Sequence, residues 1–287
     1  MASIITGSKG FIAKKLIEKL QLADVDLLPL SRDDGNLAIC SLSDLIKQES
    51  KIEIVFHLAA RTFVPRAWDY PEEFMRENIA STLNILNYCR LNKTPLFYMS
   101  AYIYGKQTIL PISEESPINP SNPYAQSKII CEQMCKYYAE VFSLDITILR
   151  PFNVYGPDQD KNFLIPEIIA QIKNKKKIYV NSLKPKRDFI NVEDLIDAII
   201  KSSRLIKGFQ IYNIGSGSSL SVQNIIELIE ELIGKPLEYE ERGLERNAEM
   251  MDVVADISAA KSSLSWRPKI NFREGLKQIL IEEGLCT

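Results

Sequence analysis

Residues 2–6 (Ala-Ser-Ile-Ile-Thr) form a short apolar run that passes through Gly7-Ser-Lys-Gly10-Phe-Ile-Ala13 into apolar positions Ile12, Leu16, Ile17 and Leu20 at helical spacing. A strand that turns on glycines into a helix brings backbone N–H groups and the positive helix end to one point, where a pyrophosphate can sit. Gly7, Lys9, Gly10, Phe11 and Ile12 are the candidate cradle. The small residues at 7, 10 and 13 follow a Gly-x-x-Gly-x-x-Gly pattern in which Ala13 replaces the last glycine. That position mainly lets helix and strand pack closely, so a methyl group is tolerated. The competing reading is an ordinary strand-turn-helix corner.

The second strand, Val25–Leu30, ends in Ser31-Arg32-Asp33. An acidic residue at that place accepts the ribose hydroxyls of NAD, whereas an arginine pairs with the 2′-phosphate of NADP. Ser31 and Arg32 favour NADP; Asp33 and Asp34 leave NAD open. Glu53–Ala60 reads as a buried parallel strand opening into Arg61–Pro65. A helix from about Pro71 to Asn92 follows, with Asn78 inside it, then a strand over Leu96–Ser100. After Tyr104-Gly105 comes a Pro- and Ser-rich loop, then a helix from Pro123 and a strand over Leu144–Arg150. Strands alternating with helices predict an α/β, right-handed, doubly wound parallel sheet, with a smaller C-terminal lobe.

From Pro151 the texture changes to a turn-rich loop (Pro151–Pro157), a helix near 166–173, a strand near 177–180, and Arg187–Asp194 leading into another helix. Gln210–Gly215 runs into a glycine-serine turn, and the rest reads mainly as helix. The expected division is residues 1–150 with a returning segment of about 188–215, against 151–187 and 216–287.

The stretch Asn122-Pro-Tyr124-Ala-Gln-Ser-Lys128 carries the candidate chemistry. On a helix starting at Pro123, Tyr124 and Lys128 project from one face. A tyrosine hydroxyl titrates near ~10, and an adjacent ammonium favours the phenolate. Ser100, at the end of the run Pro95–Met99, is placed to hold a reacting oxygen while Tyr124 moves the proton. By itself this spacing also fits an amphipathic helix with a half-buried tyrosine beside a solvated lysine.

Composition excludes several other classes. A net charge of −2 over 287 residues gives no reason to expect nucleic acid or an anionic membrane as partner. The run Lys173–Lys177 reads as a solvated helix end. No apolar run reaches the length of a membrane span and the N-terminus lacks signal-peptide sections, so a cytoplasmic protein is expected. Five scattered cysteines do not form a disulfide framework. Cys131 and Cys135 could share a helix face, but a single histidine cannot complete a zinc-type cluster, so no metal site is expected. That histidine, His57, lies in the apolar run Ile54–Ala60, and no Gly-x-Ser-x-Gly elbow is present. It reads as a buried structural residue rather than a hydrolase base.

Taken together, Thr6-Gly7-x-x-Gly10-Phe-Ile, His57-Leu-Ala-Ala60, Asn78, Ser100 before Tyr104-Gly105, Tyr124-x-x-x-Lys128, Arg150-Pro-Phe-Asn-Val-Tyr-Gly156 and Arg187-Asp-Phe-Ile-x-Val-x-Asp194 resemble the extended short-chain dehydrogenase/reductase family. The likeness is to its nucleotide-sugar epimerase, dehydratase and reductase branch and runs down to Ala255–Lys261 and Trp266-x-Pro268. The resemblance implies an NAD(P)-binding Rossmann domain and a lobe that binds a nucleoside diphosphate sugar. It implies Ser100, Tyr124 and Lys128 as the catalytic set, with Lys128 also holding the nicotinamide ribose. Leu58, Ala59, Ala60 and Asn78 become cofactor contacts, and Ser100, Tyr102, Asn153, Arg187 and Arg246 substrate contacts. A diphosphate calls for guanidinium forks, although Arg242 lies one helical turn from Arg246.

Two departures narrow the chemistry. The family's 4,6-dehydratases carry an Asp-Glu pair just after the catalytic hydroxyl, where this chain has Ala101 and Tyr102. Its fucose-synthase-like members use a cysteine at the position of Tyr102 and a distant histidine, and neither is found here. What remains is single reduction of a 4-keto-6-deoxy sugar nucleotide by NADPH, the preferred expectation, or 4-epimerisation with tightly held NAD. A non-catalytic NAD(P)-sensing protein on the same fold is disfavoured by the retained Tyr124–Lys128 pair. The resemblance also implies a homodimer formed through helices at about 71–92 and 123–142.

Overall fold

The computed structural model describes residues 2–46, 51–174, 177–244 and 250–286. The chain begins with β1 (Ala2–Thr6), α1 (Phe11–Gln21), β2 (Asp26–Leu30), α2 (Leu42–Leu45), β3 (Ile52–His57), α3 (Val64–Asp69), α4 (Pro71–Asn92), β4 (Leu96–Met99), α5 (Pro123–Phe142) and β5 (Ile146–Pro151). Next come β6 (Asn153–Tyr155), α6 (Leu164–Lys173), β7 (Ile178–Val180), β8 (Lys186–Arg187), β9 (Phe189–Asn191), α7 (Val192–Ser203) and β10 (Phe209–Ile214). It ends with β11 (Leu220–Ser221), α8 (Val222–Ile233), β12 (Tyr239–Glu241), α9 (Ser258–Leu264) and α10 (Phe272–Glu282).

Contacts divide the chain into two compact units. The first comprises Met1–Gly105, Pro117–Pro151 and Ile196–Tyr212. Its six-stranded sheet has the order β10-β5-β4-β3-β1-β2, and the pairs from β5 through β2 are all parallel. The chain goes outward from β1 to β2 and then returns to the other side of β1 as β3. The strand order therefore reverses between β1 and β3, and the crevice beyond their carboxyl ends is where such sheets bind ligands. Ile4, Val55, Leu96, Ile146 and Ile148 form its core with Ile85 and Leu86 of α4 and Cys131 and Cys135 of α5.

Helix α5 starts where it does for local reasons. Asn122 caps it, its Oδ1 accepting from the Ala125 N–H at 2.8 Å, and Pro123 occupies the first turn. This start puts Tyr124 in the first turn and Lys128 one turn on. Upstream, Gly105 adopts φ +66, and a Cβ there would lie 1.7 Å from the Asn119 carbonyl oxygen. Only glycine fits that close approach.

The second unit comprises Lys106–Ser116, Phe152–Leu195 and Asn213–Thr287. Ile165, Ile168, Ile169, Ile225, Ile226 and Leu276 belong to its apolar core. Asp188 is fully buried and accepts from Ala255 N, Ser216 N, Ser216 Oγ and Gly217 N at 2.6–3.0 Å. Asp194 accepts from Lys269 N and Ile270 N, and its carbonyl accepts from the buried Trp266 indole at 3.0 Å. The returning segment of the first unit is therefore narrower than the sequence suggests, because Asp188 and Asp194 are engaged within the second unit. Lys106–Ser116 joins that unit through Ile112, which bridges Ala255 and accepts from Asn213.

Several elements differ from the sequence reading. Strand β3 stops at His57, so Leu58–Ala60 lie in the loop after it rather than in the strand. Arg61–Pro65 does not remain open chain, since α3 begins at Val64 with Pro65 in its first turn. Within the expected loop Pro151–Pro157, Asn153–Tyr155 pair as β6 with β9. The C-terminal region contains β11 and β12 as well as helices, and these are two- and three-residue strands with no periodicity to read. Of the basic run, Lys175 and Lys176 lie outside the described residues.

Asp188 gives the second unit its clearest stability test. Replacing it with alanine leaves three backbone N–H groups and one hydroxyl without that acceptor, and is expected to cost about 3 kcal/mol or more. Urea unfolding of Asp188→Ala should show this loss; a change below about 1 kcal/mol would remove Asp188 from the centre of that unit.

Candidate active site

The glycine turn is built by contact as well as by conformation. Gly7 has φ +72, and a Cβ on it would lie 2.8 Å from the backbone N and Cα of Ala59. A side chain is excluded on both grounds. The Gly10 N–H donates to the Gly7 carbonyl at 2.8 Å, and Gly10 caps α1 without any side-chain bond. The N–H groups of Phe11 and Ile12 therefore open α1 at its positive end. Ala13 is 1% exposed, so the third small position serves packing as expected.

The facing wall is the loop after β3. Thr6 Oγ1 accepts from the Ala59 N–H at 3.2 Å and shares a 2.8 Å hydrogen bond with His57 Nδ1. Burial first, and the Lys128 charge second, push His57 down to about 3, so it is neutral and structural. Asn78 is 2% exposed; its Oδ1 accepts from the Arg61 N–H at 2.8 Å, and its Nδ2 donates to the Arg61 carbonyl and to Ser127 Oγ. It fastens the end of the Leu58–Arg61 loop to α5. A turn flanked by Gly7 and Gly10, a helix end without a side-chain cap and this fixed wall fit a dinucleotide pyrophosphate.

Beyond the turn lies a cavity of about 180 Å³ whose lining includes Gly7, Ser31, Arg32, Ala59, Arg61 and Glu77. Arg32 Nη2 donates to Glu77 Oε2 at 2.8 Å, and Arg61 forks onto the same carboxylate at 2.7 and 3.0 Å. Burial alone would raise the Glu77 carboxyl, but the two guanidiniums outweigh it and hold it below its ordinary value. Ser31 donates from N and Oγ to Asp34, and Lys9 pairs with Asp33. The Arg32 side chain is about half exposed, so its ion pair is weak and exchangeable.

Lys128 is 3% exposed, and its Nζ donates to the Met99 carbonyl at 2.6 Å and to the Tyr98 hydroxyl at 3.1 Å. These two bonds leave one of the ammonium's three N–H groups for another acceptor. Burial lowers Lys128 to about 8. Tyr124 is half-buried, and burial pushes its phenol up from the ordinary value, with Cys131 adding to the shift. This differs from the expectation that Lys128 draws the phenol down. Loss of water dominates, and Tyr124 is protonated at neutral pH.

Ser100 is 3% exposed and donates from Oγ to Glu132 Oε1 at 2.5 Å. Glu132 also receives a fork from Arg150, which donates from Nη1 to the Tyr104 hydroxyl as well. Tyr102 is half-buried and directly precedes the fully buried Ile103 and Tyr104.

In the first unit the structure thus joins Ser100 and Lys128 through α5 and the end of β4, with Tyr124 one turn earlier on the same helix. Asn153 and Arg187 belong to the second unit. There, Asn153 N and Nδ2 donate to the Asp188 carbonyl, and Arg187 Nη1 donates to the Lys186 and Met250 carbonyls. Arg246 lies outside the described residues.

Glu77, Glu132 and Tyr98 are site residues that sequence reasoning missed. Glu132 had a usable signal, because 124, 128 and 132 repeat at four-residue intervals on one helix face. Glu77 had none, since its partners Arg32 and Arg61 lie 45 and 16 residues away.

Comparison with known proteins places this geometry. Residues 3–215 match the model of the NAD dependent epimerase/dehydratase family. GDP-6-deoxy-D-mannose reductase of Pseudomonas aeruginosa is 30% identical over 290 residues, covering 96% of this chain and 95% of that protein. UDP-glucose 4-epimerase of Mycolicibacterium smegmatis is 28% identical over 306 residues, covering 96% of each. The structure of RMD from Pseudomonas aeruginosa complexed with NADPH superposes with a TM-score of 0.88 at 29% identity, over 98% of each chain. With its glycine turn, parallel sheet and Tyr124–Lys128 helix, the chain belongs to the NAD dependent epimerase/dehydratase family.

Proposed function

We propose that the chain is an NADPH-dependent reductase of the 4-keto group of a nucleoside diphosphate 4-keto-6-deoxyhexose, with Tyr124 as proton donor. The observation that carries the proton-donor role is the α5 face on which a protonated, half-buried Tyr124 precedes Lys128, with Lys128 bonded to residues 98 and 99 beside Ser100. NADPH, when bound, supplies the hydride for the sugar carbon. Tyr124 gives its proton to the oxygen of that carbon, and the Lys128 cation stabilises the phenolate left behind. Tyr124 also sits in the first turn of α5, where the helix dipole favours the same negative charge. Ser100 orients the reacting oxygen. In this reading Asn153 contacts the sugar or a phosphate, Arg187 and Arg246 the diphosphate, and Tyr102 the sugar.

Arg32 is the proposed reader of the 2′-phosphate: its guanidinium stands at the end of β2 in the cavity wall, held by one exchangeable ion pair. The likeness to a reductase along nearly the full chain supports the same direction. The second reading is a 4-epimerase with tightly held NAD. It is favoured by the carboxylates Asp33, Asp34 and Glu77 around Arg32 and by the 28% identity to a UDP-glucose 4-epimerase.

In either reading the protein acts in the cytoplasm, in deoxysugar or surface-polysaccharide synthesis. Among the described residues no helix is long and apolar enough to cross a membrane. A homodimer through α4 and α5 would cover the exposed Leu83, Tyr137 and Val141.

Tyr124→Phe is expected to lower turnover of a 4-keto-6-deoxy sugar nucleotide about a hundredfold or more, with NADPH binding nearly unchanged. Unchanged turnover would remove Tyr124 as proton donor. Arg32→Ala should weaken NADPH binding about tenfold, measured by nicotinamide fluorescence, and leave NADH binding as it was. Equal effects on both cofactors would take the 2′-phosphate away from Arg32. Because Lys128 loses its charge as pH rises through about 8, kcat for reduction should be retained below that pH and fall above it. A kcat flat to pH 10 would separate the Lys128 charge from turnover.

A further inference from the structure

The buried ion pair of Glu132 and Arg150 lies directly against Ser100, and none of these residues is more than 5% exposed. Arg150 Nε donates to Glu132 Oε1 at 3.0 Å and Nη2 to Oε2 at 2.6 Å, while Nε also approaches Oε2 at 3.2 Å. On its far side the Arg150 Nη1 donates to Tyr104 Oη at 2.8 Å, and the guanidinium stands 5.0 Å from the Tyr104 ring centroid. Such a fork fixes both partners in one geometry. It is also a costly element to place out of water, and structural stability alone gives weak reason for it.

Its position supplies a reason. Glu132 follows Lys128 by one turn and Tyr124 by two, so the three share one face of α5. Both Glu132 oxygens accept from the Arg150 guanidinium, which has only donors to offer, so the carboxylate serves here as an acceptor. In the 2.5 Å contact Ser100 must therefore be the donor. A serine hydroxyl has one proton and a free rotor, and here that rotor is pinned. If Ser100 turns its proton toward a substrate oxygen, Glu132 keeps its bonds from Arg150, so release leaves no bare buried charge. Ser100 is also held from its backbone, its N–H donating to the Leu149 carbonyl at 2.9 Å.

We infer that Glu132, locked by Arg150, is a positioning residue for catalysis: it keeps the Ser100 hydroxyl on one rotamer until that hydroxyl turns to donate a hydrogen bond to the reacting oxygen of the sugar, whose proton comes from Tyr124. This inference depends on the proposed role of Ser100 and adds to it a residue that touches neither cofactor nor sugar.

The test is a double-mutant cycle on kcat with the full-length protein, NADPH and a 4-keto-6-deoxy sugar nucleotide. Glu132→Gln is expected to lower kcat about tenfold or more, with KM for the sugar nucleotide and the dissociation constant of NADPH within about threefold. In the Ser100→Ala background the same substitution should have no further effect on kcat, because its route to the chemistry is gone. Additive losses in the cycle, or a wild-type kcat in Glu132→Gln, would overturn the inference. Glu132→Asp guards against a folding failure: it keeps the charge opposite Arg150 and shortens the reach to Ser100. Its kcat should fall while NADPH fluorescence titration and thermal unfolding stay near wild type, and a wild-type kcat here would also overturn the inference. If Ser100→Ala alone leaves kcat unchanged, the role of Ser100 itself fails. That outcome is distinct from a Ser100-dependent enzyme indifferent to Glu132.

Discussion

The attachment of α5 to the end of β4 is the constraint on which the candidate site depends. Lys128 reaches the Met99 carbonyl and the Tyr98 hydroxyl, and Glu132 reaches Ser100 one turn further along. A helix turns about 100° per residue, so shifting α5 by a single position would take both polar side chains off the end of β4. Its start is set by Asn122 and Pro123, and its pairing with α4 is secured where Asn78 meets Ser127. The chemistry assigned to Tyr124 follows from that register. A phenol in the first turn is close to the positive helix end, with an ammonium one turn away, while lost hydration keeps its proton in place.

The cofactor side depends on closeness rather than charge. Ala59 approaches the Gly7 backbone so nearly that no Cβ could be added, and this contact sits where the strand order of the sheet reverses. Charge enters at the rim, where Lys9, Arg32 and Arg61 are each matched by a carboxylate. The Lys9–Asp33 pair is exposed and the Arg32 side chain about half exposed, so a phosphate can compete for these two cations. In the second unit, buried carboxylates act as assembly points. Asp188 organises the Ser216–Gly217 turn and Ala255, and Asp194 gathers Lys269, Ile270 and Trp266.

Much of this was legible in the sequence because its signals are local. The glycine turn, the alternation of strands and helices and the Tyr124–Lys128 spacing each lie within a few residues, and each corresponds to an element of the structure. The ends of elements were less legible. Nothing in Leu58–Ala60 says that β3 stops at His57; the close approach to Gly7, about 50 positions earlier, decides it. Short strands such as β6, β8 and β11 are too brief for a period of two to show. The polar network around Ser100 was invisible for a related reason. Glu132 is 32 positions from Ser100 and 18 from Arg150, and only the folded sheet brings them together. Two motif residues also changed meaning: Asp188, beside Arg187, and Trp266 hold the second unit together from its interior.

Reduction and epimerisation would use the same three side chains, so the fate of the nicotinamide separates them most directly. The purified protein should be mixed with a 4-keto-6-deoxy sugar nucleotide and a limiting amount of NADPH while the reduced-nicotinamide absorbance is followed. A reductase consumes one NADPH for each keto group and releases NADP, and this stoichiometric loss is the predicted result. No loss of absorbance, together with NAD released when the protein is denatured, would contradict the reductase and establish tightly held NAD as the working cofactor.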